Sequence, residues 1–285
     1  MALAISGALD EAIEVGRRGH AVHSAFGTAV RFRPEAQFIG PVYALCAAGR
    51  PGEAAILAEQ GYDAAVTADD TDLQATFALL NGMVAVHRGR LISAKRHYDE
   101  AAALDRQLND VAALRWALGG VALAAGMGSD PGGSEAAVAE LATLTLHHVQ
   151  LHELDHVERG RGWALAATGA RSAAVETLRR GAHRAAEIGL VVDEALLRHD
   201  LVRLGEARAE RGRLAELARQ IGGELVASFA SHAEALFSGS SRILNAASGR
   251  FADLGVNLVA AEAALDACHA HPLPRSTWFS SCNWT

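Results

Sequence analysis

Lysine is almost missing from this chain of 285 residues: Lys95 is the only one among 26 basic residues, beside three cysteines, six prolines and 5% aromatic residues. Each scarcity excludes something. Without a G-x-x-x-x-G-K-[ST] run there is no lysine to reach the outer phosphates of a nucleotide, so ATP binding by that mechanism is excluded. Cys46, Cys268 and Cys282 lie far apart and form no C-x-x-C pair, which gives neither a disulfide framework nor a zinc knuckle and suits a reducing cytoplasm. With β-branched and aromatic residues scarce, a β-sandwich or barrel is excluded. No apolar run approaches the roughly 18 residues of a membrane span, and Met1 to Leu9 lacks a basic leader region. The expectation is a soluble, cytoplasmic protein with no membrane partner. A formal charge of −7 and a pI near 6.0 argue against nucleic-acid binding by this chain alone.

What the chain has in quantity is alanine, roughly 60 residues, together with 28 glycines, and half of its residues are apolar. Alanine is the best helix former, so the fold class is all-α with enough apolar mass for a real core. Glycine-centred breaks recur at Gly49, Gly89, Gly128, Gly169, Gly212 and Gly249, at intervals of 40, 39, 41, 43 and 37 residues. Five residues before these anchors stand Ala44, Val84, Leu123, Ala164, Ala207 and Leu244; nine residues after them stand Ala58, Tyr98, Ala137, Leu178, Ile221 and Leu258. A column five residues after them (Ala54, Ala94, Gly133, Ala174, Leu217, Leu254) lies one helical turn from the second and shares its face. Such columns describe hairpins in which one helix ends at the glycine and the next begins a few residues later. One hairpin cannot bury its apolar face alone, so the pairs are expected to stack as a right-handed solenoid of TPR-like repeats with a concave surface.

Gly7 reads as one more such turn, whose first helix would precede Met1, and the repeat domain is expected to span 1–270 with turns near 7, 49, 89, 128, 169, 212 and 249. After Ala270 the composition changes: residues 271–285 contain two prolines, two tryptophans and Cys282 but no alanine, and are expected to be an irregular, disordered tail.

From Gly162 the residues resemble a known family. The runs Gly162-Trp163-Ala164-Leu165-Ala166-Ala167-Thr168-Gly169, Leu197-Arg198-His199-Asp200-Leu201-Val202-Arg203-Leu204-Gly205, Ser231-His232-Ala233-Glu234-Ala235-Leu236 and Phe251-Ala252-Asp253-Leu254-Gly255 are similar to the tetratricopeptide-like region of large ATP-dependent LuxR-type transcriptional regulators. The resemblance covers 160 to 270 and consists of packing motifs. It implies a sensor and oligomerisation module. The family's nucleotide-binding module and helix-turn-helix are both missing, which makes a truncated regulator the expectation, with no DNA reading of its own.

Several residues invite a chemical reading. His152-Glu153-Leu154-Asp155-His156 matches H-E-x-x-H, which on a helix sets two imidazoles one turn apart for zinc with the glutamate as general base, and His148 extends the stripe. The residues that follow do not continue the metzincin pattern, and the run falls where a repeat helix belongs, so a polar helix face is the preferred reading over a zinc-dependent hydrolase. His199 and Asp200 are neighbours about 100° apart on a helix, which favours packing or a surface salt bridge over an acid-base pair. Asp69, Asp70 and Asp72 lack calcium-loop spacing and read as a helix cap. The alternating charges from Arg203 to Arg219 read as a solvated face, Trp116 and Trp163 as core, and the cysteines as inert. The expected function is therefore a non-enzymatic regulatory module with no catalytic, cofactor or metal residues. It would meet a protein partner or small-molecule inducer on its concave face and would be prone to self-association; an independent adaptor is the alternative of a third kind.

Overall fold

The computed structural model describes residues 1–26, 33–145 and 153–270, and every regular element among them is helical. The order is α1 (Ala2–Ile5), α2 (Leu9–Phe26), a 3-10 turn (Pro34–Phe38) leading into α3 (Ile39–Ala47), α4 (Pro51–Thr67), α5 (Thr71–His87), α6 (Leu91–Leu108), α7 (Val111–Met127) and α8 (Pro131–Thr143). A π-helical turn (Glu153–Glu158) then runs into α9 (Arg159–Ala167), followed by α10 (Arg171–Ile188) and α11 (Val191–Leu201). A kinked turn (Val202–Glu206), broken at Gly205 with φ 89°, leads to α12 (Ala207–Gln220), α13 (Leu225–Ser238), α14 (Ser241–Asp253) and α15 (Asn257–Ala270).

The breaks between helices share one construction. At Gly49 and Gly89 the backbone turns left-handed (φ 83° and 73°), a region that costs a side chain its Cβ clearance. There the N–H of Arg50 donates to Leu45 O at 2.8 Å and that of Gly49 to Cys46 O at 3.1 Å, and the same pair of bonds recurs at Arg90 and Gly89. This is the Schellman closure of a helix C-terminus. It also recurs where glycine is not used, with left-handed residues at Asp69, Asn109 and Ser129. The following helix then starts on Pro51 or Pro131, or under an aspartate cap: Asp70 accepts from the Leu73 N–H, and Asp110 from those of Ala112 and Ala113.

Two of the expected turns need correction, and the one near 128 is in place but centred one residue later. Gly128 has φ −83°, and the left-handed position belongs to Ser129 beside it. Gly212 lies inside α12 and Gly249 inside α14, both in helical backbone with open space around them. The breaks in that region are at Gly205, Gly223, Gly239 and Gly255. Glycine-arginine pairs had marked these places, but Arg213 and Arg250 serve helix faces, not helix ends. The left-handed residues that close α3, α5, α7 and α9 (Gly49, Gly89, Ser129 and Gly169) are spaced 40 residues apart, whereas Gly205 and Gly239 follow at 36 and 34. The segment 271–285, expected as a tail, lies outside the described residues.

The apolar columns are buried except at Gly133, Leu254 and Leu258, which are half-buried. Ala44, Val84, Leu123, Ala164, Ala207 and Leu244 are all 7% exposed or less, and Ala58, Tyr98 and Leu178 are fully buried. Tyr98 is accommodated by two notches: a Cβ at Gly82 would stand 2.8 Å from its ring, and one at Gly120 only 2.4 Å. Each helix packs on its neighbour in sequence, and the chain also turns back on itself. The N–H of Gly222 donates to Gly7 O at 3.2 Å and that of Glu224 to Ala48 O at 3.1 Å, while Gly49 lies against Leu225 and Leu254, and Gly89 against Leu258. The opening turns of the chain are therefore packed against its last helices. No described helix is long and apolar enough to cross a membrane.

Candidate functional site

Where the two ends meet, inward-facing side chains form a buried polar centre. From the first half come Tyr43 and Cys46 of α3, Met83 and His87 of α5, and Tyr98 of α6; from the second come Asp155, His156, Arg159, Val192 and Leu196. The π turn and the break at Gly205 carry much of its polar character, Asp155 and His156 in the one and Arg203 beside the other. A π turn widens the helix and shifts the residues that face inward, and such turns recur at functional sites.

The centre is knitted together by hydrogen bonds. Tyr43 donates to Asp193 Oδ1 at 2.7 Å, and the Tyr98 hydroxyl lies 2.9 Å from His156 Nε2, with Trp116 edge-on to the same imidazole. Arg159 Nε donates to Asp200 Oδ2 at 2.6 Å, and Arg203 donates to Asp200 at 3.2 Å and to both carboxylate oxygens of Glu262 at 2.7 Å. The guanidinium of Arg203 also lies over the Trp163 ring, 4.4 Å from its centroid. His199 stacks on Phe229 and meets His232 at 3.1 Å.

Burial sets the protonation states. It holds the His199 imidazole well below its ordinary value, aided by His232, and pushes His87 down to about 3 and His232 to about 4. These rings are neutral at physiological pH. Burial, with the Asp155 carboxylate nearby, holds the Asp193 carboxyl well above the usual range. Burial also raises the thiol of Cys46, which leaves it without thiolate character.

Two cavities lie inside this centre, of about 20 and 40 Å³, and share Val86, His87, Arg159 and Leu196 in their walls. Each is room for a very few waters and for no metabolite. Larger hollows lie elsewhere: about 590 Å³ between α8, α9 and α10, and about 390 Å³ between α12, α13 and α14.

Of the H-E-x-x-H residues, His148 and His152 lie outside the described residues, Glu153 opens the first π turn, and His156 is 3% exposed with Tyr98 against its Nε2. No three described His, Cys, Asp or Glu residues are grouped as a metal would need. His199 and Asp200 are packed, not paired with each other: one joins the stacked rings and the other the two arginines. Asp70 is the expected cap. The run from Arg203 to Arg219 is not wholly solvated, since Arg203 is 5% exposed in its side chain and Arg213 reaches the buried Glu194. Trp116 and Trp163 are half-buried, Cys46 is buried, Cys268 is exposed, and Cys282 is outside the described residues. The Tyr43, Arg159 and Asp193 contacts were missed because they join residues 41 and 150 positions apart, a separation that leaves no periodic trace.

Compared with protein-family models, curated proteins and solved structures, the chain matches none.

Proposed function

We propose that the chain is a non-enzymatic recognition module of stacked TPR-like helix pairs, working as the sensor and oligomerisation region of a LuxR-type regulator works, through a protein partner or a small inducer. The observation that carries the reading is the 40-residue recurrence of the left-handed turn residues Gly49, Gly89, Ser129 and Gly169, each closing one helix of a pair above a buried small-residue column. Repeated units of this kind extend a surface without adding chemistry. The charged groups of the centre are spent on one another, as Arg159 on Asp200 and Arg203 on Glu262, and none is aimed at a substrate-sized space.

Thermal unfolding in the presence of candidate inducers tests this. Saturation at a hundred times Kd adds about 2.7 kcal/mol, which for a chain of this size moves Tm by roughly 5 to 10 °C. A concentration series by light scattering tests self-association in the same samples. Stoichiometric zinc and peptide hydrolysis that both vanish in His156→Ala would replace the reading with the hydrolase. An unchanged Tm with every ligand, and a binding partner that is a protein outside transcription, would favour an independent adaptor.

A further inference from the structure

The contacts that bring the two ends of the chain together are unlike those inside either half. Across this seam run two backbone hydrogen bonds, Gly222 to Gly7 and Glu224 to Ala48, the buried Tyr43 to Asp193 bond, and a 3.8 Å contact from Arg203 to the Met127 sulfur. Both internal cavities lie on it: one is walled by Tyr43, Met83 and His87 against Arg159 and Val192, the other by His87 and Met127 against His199 and Phe229. Packing along the seam is thus incomplete, and its voids forfeit dispersion contacts. His87 faces both cavities, and the buried Asp193 Oδ2 has no hydrogen-bond partner among the described residues. Buried polar groups in such a state are costly, and water would satisfy them.

We propose that the seam is a reversible clasp: the two halves part along it while each keeps its helices, turning the polar centre into an open inner face. Tyr43 and Asp193 are its side-chain latch, and the Gly7–Gly222 and Ala48–Glu224 bonds its backbone latch. Closed, the inner face has room only for water; open, it presents Tyr43, His87, Arg159 and His199. The clasp does not depend on what the protein recognises, and its test uses no ligand.

Cys46 is the reporter, since it is 1% exposed and lines the seam cavity. In full-length protein carrying Cys268→Ser and Cys282→Ser, its labelling by a thiol reagent is followed as urea is raised below the unfolding transition. The clasp requires labelling through a sub-global opening, with a urea dependence well below that of equilibrium unfolding. Tyr43→Phe should label about tenfold faster. An oxidised Ala48→Cys/Glu224→Cys pair, placed at a backbone hydrogen bond across the seam, should slow Cys46 labelling to the global unfolding rate. Amide exchange gives a second reading: the N–H groups of Gly222 and Glu224 should exchange faster than those of α7. Labelling with the full urea dependence of unfolding, or seam amides as protected as those of α7, would overturn the clasp. So would acceleration in Tyr43→Phe that the oxidised pair does not suppress, since that is local fraying of α3.

Discussion

The two halves of this chain solve the same packing problem with different materials. In residues 1–145 the helix pairs recur at constant length, and the buried polar residues are few: His23, Asp105, Arg115 and Ser134. Helices approach closely there because alanine columns and glycine notches let them, as Gly82 and Gly120 do around Tyr98. In residues 153–270 the turn spacing shortens, a π turn and a kink at Gly205 interrupt the helices, and Asp155, His156, Arg159, Asp193, Glu194, His199, Asp200, Glu210 and His232 are all buried. Apolar columns are non-directional and tolerate uniform repetition. Ion pairs and hydrogen bonds are directional and demand particular geometry, so each pair in the second half is individual.

The largest expected difference between the halves is the price of removing a cation. Arg159→Leu leaves the Asp200 carboxylate, itself 1% exposed, with Arg203 alone, and should lower unfolding free energy by about 3 kcal/mol in urea titrations. The matched change in the first half is Arg106→Ala, which removes a fork to Glu140 of similar length between half-exposed side chains. It should cost less than about 1 kcal/mol. Equal losses would erase the distinction between a charged and an apolar interior.

Next in size is a change inside the apolar half. Gly120→Ala places a methyl group 2.4 Å from the Tyr98 ring, which is fully buried and held by His156, so the ring cannot swing away freely. Overpacking of this kind costs roughly 1–3 kcal/mol. Thermal unfolding should show a Tm lower by several degrees, and Gly120→Ala with Tyr98→Leu should recover part of it; failure to recover would mean the notch is not made for the ring.

One buried charge in the first half makes a pH test possible. Burial, with Asp110 and Asp72 nearby, raises the Asp105 carboxyl to about 7. Its folded value lies above its unfolded value of about 3.9, so the folded state holds the proton more tightly. Its ionisation therefore penalises folding progressively as pH rises from about 4 to 7 and by a constant amount above pH 7. Asp105→Asn should stabilise the protein by about 2 kcal/mol at pH 8 and by almost nothing at pH 4. The buried histidines act with the opposite sign: His87 and His232 are depressed, so their stabilisation fades as pH drops below about 6.5. The two trends separate in an Asp105→Asn titration, which should remove the Asp105 part of the rise towards acid and leave the Asp193 part and the histidine limb.

These differences explain what could be read from the sequence. Helical class follows from alanine alone, and the turns from 7 to 169 follow from glycine because there the repeat length is constant. The other half of the turns was hidden, because Asp69 and Asn109 take the left-handed position where a search for glycine finds nothing. The centre was hidden for a different reason. Arg203 opens a run that reads as a solvated face, and Asp193 carries no pattern of its own, yet the return of the chain on itself buries both. Burial of a charge depends on which partner a distant helix brings, as Glu262 of α15 is brought to Arg203.

The smallest effect discriminates most sharply between the expected and the observed turns. If Gly212 closed a helix, replacing it with alanine would force a side chain into left-handed backbone and cost about 1 kcal/mol. In the structure it lies within α12, with nothing within 4 Å of a built Cβ. Alanine in an open helix interior is favoured over glycine by roughly 0.5–1 kcal/mol. Gly212→Ala should therefore raise Tm by one to three degrees, and Gly249→Ala, in the same situation inside α14, should do likewise. Gly169→Ala is the control: its surroundings are equally open, but its φ is 82°, so it should lose stability by a similar amount. Because all three sites are spacious, packing drops out of the comparison and the sign of each change reports backbone conformation alone. A loss at Gly212 would move the turn back to where the glycine-arginine pattern placed it, and with it the length of every helix pair after Gly169.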